Sequence, residues 1–301
     1  MKQKYTLEDK YASIQELRPI DDVFFEALAE DKLVVQEILS TILEDNNLMV
    51  EDVVVQSSKR NLYGRSVRLD ALCTLGDGSK VNIEVQRSDN DHHVKRVRYN
   101  ASMITARESN PGDRFEDITE LYIIYISEFD VFDKGKTIYH VENVIQETGD
   151  VVDDGLHRIF VNTVNDDGTD IAALMSCFTK KKVNSARFPR MSSKVTEIKE
   201  TEGGRKAVCA IMEKYVTAAK EEGREEGREE GREEGREEGR EEGEKKGREE
   251  ERVSNIRNLM ERLKMTAEAA MDLLAVPQEE QQKYALLLKE AKAADGYSAE
   301  G

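Results

Sequence analysis

The chain has 301 residues, of which 38% are hydrophobic and 36% charged, so it is long enough for one or two domains with a hydrophobic core. The longest clear apolar run, Leu121–Ile126, is far shorter than the roughly 18 residues that a membrane-spanning helix needs, and the amino-terminal residues lack the apolar stretch of a secretory signal. Three widely spaced cysteines in apolar contexts, Cys73, Cys177 and Cys209, are typical of buried thiols in a reducing compartment. We therefore expect a cytoplasmic protein.

The formal net charge is −17, from 45 basic and 62 acidic residues, and it is unevenly distributed. Residues 221–250 contain 15 Glu against 6 Arg and 2 Lys, a local charge of −7, which leaves −10 for the rest of the chain. An excess of acidic residues argues against an extended surface that binds DNA nonspecifically, because such binding needs a high local density of Lys and Arg. Because two basic clusters lie outside the acidic stretch, the overall charge does not decide whether the protein binds nucleic acid.

Helical and strand periodicities alternate along residues 1–180, and this pattern predicts a mixed α/β domain. The predicted elements, in chain order, are a helix from Asp21 or Asp22, a helix over 31–43, a strand from Val53, strands over 66–75 and 79–86, a helix over 92–108, a strand over 120–127, strands near 137–145 and 156–164, and a helix around Asp170–Phe178. The helix over 92–108 is expected to have one apolar face, formed by Val94, Val97, Ala101 and Ile104. The strand over 120–127 is continuously apolar and is expected to be buried on both faces.

Five consecutive EEGR units, residues 221–240, mark the clearest boundary. Each unit offers a favourable Glu–Arg pair, but seven glycines from Gly223 to Gly247 would cost a helix roughly 6–7 kcal/mol. We expect a solvated spacer, helical or flexible, with self-association as an alternative role. The tail predicts short packing helices, with a DNA-reading helix-turn-helix as the alternative. The expected organisation is a domain over 1–180, a basic connector and helix over 181–220, the spacer over 221–252 and a helical tail over 253–301.

The hairpin over 66–86 carries the chemistry. A three-residue loop, Gly76–Gly78, gives a register in which Ala71 faces Ile83 and Cys73 faces Val81, so that one face is apolar. A two-residue loop would pair polar with apolar residues, so the pattern favours the first register.

This register places Asp70 directly across from Glu84, with Cβ atoms about 4.5–5.5 Å apart. Like charges so placed destabilise a sheet unless a shared proton or a divalent cation lies between them. Carboxylate oxygens with room for water suit Mg²⁺, with Mn²⁺ as a second candidate. The alternative is an exposed hairpin face on which both acids are hydrated.

The segment RLDALCTLGDGSKVNIEVQRSD, with KRVRYNASM after it, resembles the PD-(D/E)xK nuclease superfamily and, more narrowly, its recombination-promoting nuclease and transposase family. The likeness extends over roughly residues 17–180, including LRPIDDVFFEAL and ELYIIYISEF, and a Glu-rich Gly-Arg repeat before a short helical tail is also typical of the family. The resemblance implies an α/β fold with a restriction-endonuclease-like mixed sheet flanked by helices, followed by the charged repeat and the small helical tail.

The resemblance also implies roles for individual residues. Asp70 and Glu84 match metal-binding acids, and Val85 matches the position whose backbone carbonyl completes the ligand set. Gln86 takes the place of the usual Lys; it can orient a water but supplies no positive charge, although the narrower family also has Gln there. An acid on the first helix often joins such sites, for which Asp22 is our candidate, with Asp21 and Glu26 as alternatives.

The implied activity is Mg²⁺-dependent hydrolysis of DNA phosphodiesters by an endonuclease linked to recombination or mobile-element DNA. Arg96, Arg98 and Tyr99 follow the hairpin and are candidates for phosphate contacts, although such residues are also typical of a solvated helix face. Lys181 and Lys182 belong to a second basic cluster that either tracks phosphates or is a solvated connector.

The alternative function is a non-catalytic protein that binds DNA or self-associates as a homo-oligomer through the repeat and tail. The missing Lys and the acidic balance favour this alternative, and RNA as the nuclease substrate stays open. The four histidines are too scattered for a recognisable zinc spacing, and we expect His92 and His93 to lie on the surface.

Overall fold

A computed structural model describes residues 7–59, 67–89 and 92–297. The chain divides into two compact units between Ala218 and Ala219. The helices are α1 (Leu7–Glu16), α2 (Asp22–Ala29), α3 (Lys32–Ile42), α4 (His93–Glu108), α5 (Asp170–Phe178), α6 (Pro189–Glu200), α7 (Glu202–Leu263), α8 (Ala267–Leu273) and α9 (Gln278–Tyr297). The strands are β1 (Val50–Lys59), β2 (Val67–Leu75), β3 (Lys80–Gln86), β4 (Leu121–Ser127), β5 (Ile138–Val141), β6 (Asn143–Val144), β7 (Val151–Val152) and β8 (Leu156–Asn162).

The first unit is built on a six-stranded mixed sheet of order β1-β2-β3-β4-β8-β5. The β3–β4 and β4–β8 pairs are parallel, whereas the other neighbours are antiparallel, and β6 and β7 form a separate ribbon. Parallel pairing requires crossover connections, and α4 supplies the one between β3 and β4. The expected mixed α/β architecture is therefore confirmed, with helices flanking a mixed sheet.

The register of the β2–β3 hairpin is the one that the apolar alternation predicts. Ala71 pairs with Ile83 and Cys73 with Val81. The connecting turn ends on Gly78, whose φ of 91° lies in the left-handed region that glycine adopts without strain. This turn fixes the register, and the register fixes which side chains of the hairpin share a face.

Strand β4 lies between two apolar layers, as its continuous apolar sequence predicts. Ile124 and Ile126 pack into the core under α2, α3 and α5, whereas Ile123 and Tyr125 pack into the core under α4.

The apolar face of α4 is shorter than its sequence predicts. Val97, Ala101 and Ile104 are buried as expected, but Val94 is 45% exposed, so its predicted place on the apolar face is wrong. In the first turn of α4 the buried position is His93, four residues before Val97, so Val94 lies beside the buried face instead of on it.

The start of α7 approaches the end of α6 closely at Gly204. A Cβ atom on Gly204 would lie 2.5 Å from both the carbonyl oxygen of Glu197 and the Cα atom of Ile198. Real Cβ atoms do not come this close to backbone, so only glycine fits the junction.

The second unit has a small core of its own, formed by side chains from the end of α7, from α8 and from α9 and their connections. Its buried residues are Ile256, Ala270, Met271, Val276, Tyr284 and Leu288. The packing helices expected for the tail are present.

The EEGR residues are helical throughout and belong to α7. Their glycines lie on an open helix surface, where an added Cβ atom would meet no neighbouring group within 4 Å among the described residues. None of the described helices combines the length and the apolar character needed to cross a bilayer.

Candidate active site at the end of the β2–β3 hairpin

The site begins where the regular pairing of β2 and β3 ends. The paired residues run from Thr74 and Lys80 to Ala71 and Ile83. Just beyond, the backbone amide of Val85 donates a hydrogen bond of 2.9 Å to Oδ2 of Asp70. The side chain of Asp70 thus accepts a hydrogen bond from the backbone of the neighbouring strand, and this contact holds Asp70 against β3 beside Glu84.

Glu84 is a buried carboxylate with one incompletely satisfied oxygen. The residue is only 1% exposed, which shows that the alternative of two hydrated acids is wrong for Glu84. Oε1 accepts a 2.8 Å hydrogen bond from Nδ2 of Asn82, whereas Oε2 accepts none from the described residues and lies 3.7 Å from the guanidinium of Arg96. A buried anionic oxygen without a hydrogen-bond donor is costly unless a cation occupies the space beside it.

The two acids are both hard to ionise in the metal-free protein. Burial raises the pKa of Asp70 well above its ordinary value, and repulsion from Glu84 raises it further, while the Val85 amide acts in the opposite direction. Burial also raises the pKa of Glu84 to about 7, against the Asn82 hydrogen bond and the charge of Arg96. The pair is therefore arranged to favour either a proton or a metal cation between its oxygens.

Asp22, in the first turn of α2, belongs to the same electrostatic cluster. Its negative charge raises the pKa of Asp70 and of Glu84. Desolvation raises the pKa of Asp22 itself, although the positive charge of Arg96 opposes the increase. The candidate third acid is thus close enough to interact with both hairpin acids.

The two alternative acids of the same region have other surroundings. Asp21 precedes α2, accepts a 2.6 Å hydrogen bond from the backbone amide of Arg18 and forms a 2.7 Å ion pair with Arg87. Glu26 is buried within α2, 3% exposed. Because its charge acts on both hairpin acids, Asp22 is the best placed of the three candidates.

Gln86 lies at the carboxyl end of β3 and is held at both ends of its amide. Its Nε2 donates to the backbone oxygen and to Oγ of Ser88, each at 3.1 Å. Its Oε1 accepts a 3.3 Å hydrogen bond from Nη1 of Arg96. Arg96 therefore contacts both polar side chains of β3 that the sequence singles out.

An ion-pair network beside the site could not be anticipated from the sequence. Arg18 binds both carboxylate oxygens of Glu128, at 2.5 and 3.2 Å, and Arg87 joins Glu128 to Asp21. The backbone amide of Glu128 also donates to the carbonyl of Gln86 at 3.0 Å. The network ties the segment before α2 to the ends of β3 and β4, but its members are up to 110 residues apart in the chain, so no local pattern could reveal it.

The surface position expected for His93 is wrong. The residue is 6% exposed, with its ring nitrogens 2.7 Å from the hydroxyl of Tyr125 and 2.9 Å from Oδ1 of Asp89. His92 is exposed as expected. Tyr125 comes from β4, so the burial of His93 depends on the tertiary structure.

The remaining candidates for DNA contacts lie in different parts of the first unit. Arg98 is exposed on α4, and Tyr99 packs partly against the core beneath this helix. Lys181 forms an ion pair with Glu16. Lys182 lines a cavity of about 500 Å³ beside α5, together with Arg187.

A second group of ligand-type residues lies at the opposite ends of the strands. Ligand atoms of Glu120, Asp153 and His157 lie within 4.8 Å of one another and could hold a metal ion. Because Glu84 pairs with Tyr125, five residues after Glu120, this group is about 17 Å along the strands from the hairpin acids.

The spacing of the histidines along the chain could not reveal this second group. Glu120 directly precedes β4, whereas Asp153 and His157 lie on either side of the start of β8. The three side chains meet only because β4 and β8 are parallel neighbours, with Leu121 paired to Leu156.

The comparisons with known proteins identify one relationship. Residues 19–171 match the family described as PD-(D/E)XK nuclease family transposase. Asp22, the hairpin and all of α4 lie within the matched residues, whereas α6, the EEGR residues and the tail lie outside them. The search of curated proteins and the search of solved structures each gave no significant match.

Proposed function

The chain belongs to the PD-(D/E)XK nuclease family of transposases, and from this premise we propose that it is a metal-dependent DNA endonuclease linked to recombination or mobile-element DNA. Family membership implies DNA as the substrate and phosphodiester hydrolysis as the reaction. The observation that carries the proposal is the pairing of Asp70 with the buried Glu84, because Oε2 of Glu84 accepts no hydrogen bond from the described residues. We further propose that the domain has the restriction-endonuclease-like variant of the mixed sheet.

The donor set fits a hard divalent cation. We assign Asp70, Glu84, Asp22 and the backbone carbonyl of Val85 as its ligands, all of them oxygen donors of the kind that Mg²⁺ and Mn²⁺ prefer. Such a cation supplies activation of water and stabilisation of the developing negative charge. Burial raises the pKa of Asp70 and Glu84, and the negative charges of neighbouring carboxylates raise it further, so a divalent cation would stabilise the ionised acids.

Gln86 is assigned the orientation of the attacking water. Both ends of its amide are already fixed by hydrogen bonds to Ser88 and Arg96, so its rotamer is restricted before substrate binds. An amide is both donor and acceptor and can therefore align a water, but it takes no proton from it. The proton must leave through another group or through solvent.

Two observations favour a second candidate, a non-catalytic DNA-binding or self-associating protein that retains the fold. Gln86 is uncharged where the superfamily usually has Lys, and the chain is strongly acidic. For both candidates we propose a cytoplasmic location, because the three cysteines are free, in keeping with a reducing compartment.

An assay of supercoiled-plasmid nicking distinguishes the endonuclease from the non-catalytic candidate. We expect wild type to nick with Mg²⁺ or Mn²⁺ but not with EDTA, and Asp70→Asn and Glu84→Gln to lose activity by about 100-fold or more. Both substitutions remove a charge while preserving shape. Glu30→Gln, an exposed site after α2, is the matched control and should nick like wild type.

Two outcomes would contradict the proposed endonuclease activity. A folded wild type that binds plasmid but nicks it with neither metal would support the second candidate. Equal nicking by all variants would show that the activity does not come from the assigned acids.

A further inference from the structure

Arg96 is a positively charged neighbour of the carboxylate cluster. It belongs to the first turn of α4, from which its guanidinium reaches both β3 side chains, Glu84 and Gln86. Its positive charge also opposes the increase that burial causes in the pKa of Asp22, Asp70 and Glu84. One guanidinium thus acts on three carboxylates.

The contacts of Arg96 with this cluster are loose. The distance of 3.7 Å to Oε2 of Glu84 is too long for a hydrogen bond, and the 3.3 Å contact with Gln86 is at the long end of the range. The side chain of Arg96 is 37% exposed, whereas that of Glu84 is 1% exposed. The guanidinium is therefore accessible to solvent, whereas the carboxylate beside it is buried.

We propose that Arg96 is a resident counter-cation, which a divalent metal displaces from Glu84 and which then binds a phosphate of the DNA. This inference rests on the proposed function. It makes Arg96 a competitor of the metal and, in the metal-loaded protein, a contributor to DNA affinity. A residue that only stabilises the fold, or only binds DNA, would not have both effects.

The first test measures Mn²⁺ affinity by isothermal titration calorimetry in mildly alkaline buffer without DNA. Because a positive charge beside the site repels the metal, Arg96→Gln should bind Mn²⁺ more tightly than wild type, by about threefold or more. Arg96→Lys keeps the charge and should bind close to wild type. Arg107→Gln, an exposed change of equal charge on the same helix, should also match wild type and controls for net charge.

The second test measures binding of a short DNA duplex with Ca²⁺ and with EDTA. With Ca²⁺, Arg96→Gln should bind DNA about tenfold more weakly than Arg107→Gln, since the displaced guanidinium is missing. With EDTA the two variants should bind equally, because the nearby carboxylates then offset the charge of Arg96. The melting temperature of each variant establishes that it is folded.

Several results would overturn the inference. Mn²⁺ binding by Arg96→Gln that is unchanged or weaker would assign Arg96 a structural role. Tighter binding by Arg96→Lys as well would exclude charge as the cause, and an equal loss of DNA affinity with Ca²⁺ and EDTA would make Arg96 a constant DNA contact. Absence of Mn²⁺ binding by folded wild type would overturn the proposed metal site too, whereas the other outcomes leave that site standing.

Discussion

Glu84 is an acid that the fold removes from water, so its ionisation is linked to folding. Its pKa of about 7 in the folded protein lies above the ordinary value of 4.5, chiefly because of burial. The folded state therefore holds a proton that the unfolded state releases at lower pH. The resulting stabilisation is fully present below about pH 4.5 and is lost as the pH rises to about 7.

Glu84→Gln should remove this pH dependence in metal-free protein. Gln can still accept the hydrogen bond from Asn82, but it has no charge to bury. At neutral to alkaline pH in EDTA, we expect the variant to be more stable than wild type by up to about 3 kcal/mol, with the difference vanishing near pH 4. Urea unfolding across this range, with Glu30→Gln as the control, measures the difference. A Glu84→Gln variant less stable than wild type at pH 8 would mean that the charged form is stabilised by contacts other than those described.

At the scale of elements, the α6–α7 junction depends on the absence of one methyl group. Gly204→Ala would force a Cβ atom against the backbone of α6, at 2.5 Å from Glu197 and Ile198. Neither backbone group can move aside as a flexible side chain would, so α7 must shift. We expect a loss of about 2 kcal/mol or more in the free energy of unfolding.

The neighbouring glycine provides the control for this prediction. A Cβ on Gly203 would have open space, so Gly203→Ala should be neutral or stabilising by up to about 1 kcal/mol. Thermal unfolding of both variants makes the comparison. Equal stabilities would show that the junction relaxes without cost.

The hairpin elements can be predicted because their information is local. Apolar alternation and the Gly76–Gly78 loop are enough to set the register, whose last regular pair, Ala71 and Ile83, directly adjoins Asp70 and Glu84. The helix Asp170–Phe178 is likewise found at the bounds that its sequence predicts.

The rest of the site depends on long-range packing. The burial of Glu84 requires the elements on both sides of β3, and the contacts of Glu128 join segments 110 and 41 residues apart. The sequence places Arg96 on a solvated face or against DNA, whereas the structure directs it to Glu84 and Gln86. The conformation of the EEGR repeat is difficult to predict for a different reason. Its glycines destabilise a helix, whereas its Glu–Arg pairs stabilise one.

At the scale of the whole molecule, the family accounts for half of the chain. The matched residues end at 171, within α5, and the remaining core of the first unit includes side chains from α6 and α7, among them Met191 and Val208. Lys199 of α6 is 3% exposed and donates to the carbonyls of Gln15 and Leu17. The first compact unit therefore extends beyond the residues that match the family, and we propose that a truncation at residue 180 would expose apolar surface.

The reactivity of the three thiols can report local unfolding of the first unit. Cys73 of β2, Cys177 of α5 and Cys209 of α7 are all buried, and burial raises the pKa of Cys73 to about 12. A thiol reagent can modify them only when the surrounding structure opens, so the labelling rate of each reports the opening of its own element.

Cys73 lies on the strand that carries Asp70, three residues away. If Asp70 and Glu84 clamp a cation between the two strands, Mn²⁺ should slow the labelling of Cys73 by about tenfold at saturating concentration, with Asp70→Asn abolishing the protection. Peptide mass spectrometry after timed alkylation would read all three cysteines in one experiment. The alkylation rate of Cys73 would thus report whether a metal occupies the site, although Cys73 is not among the proposed metal ligands.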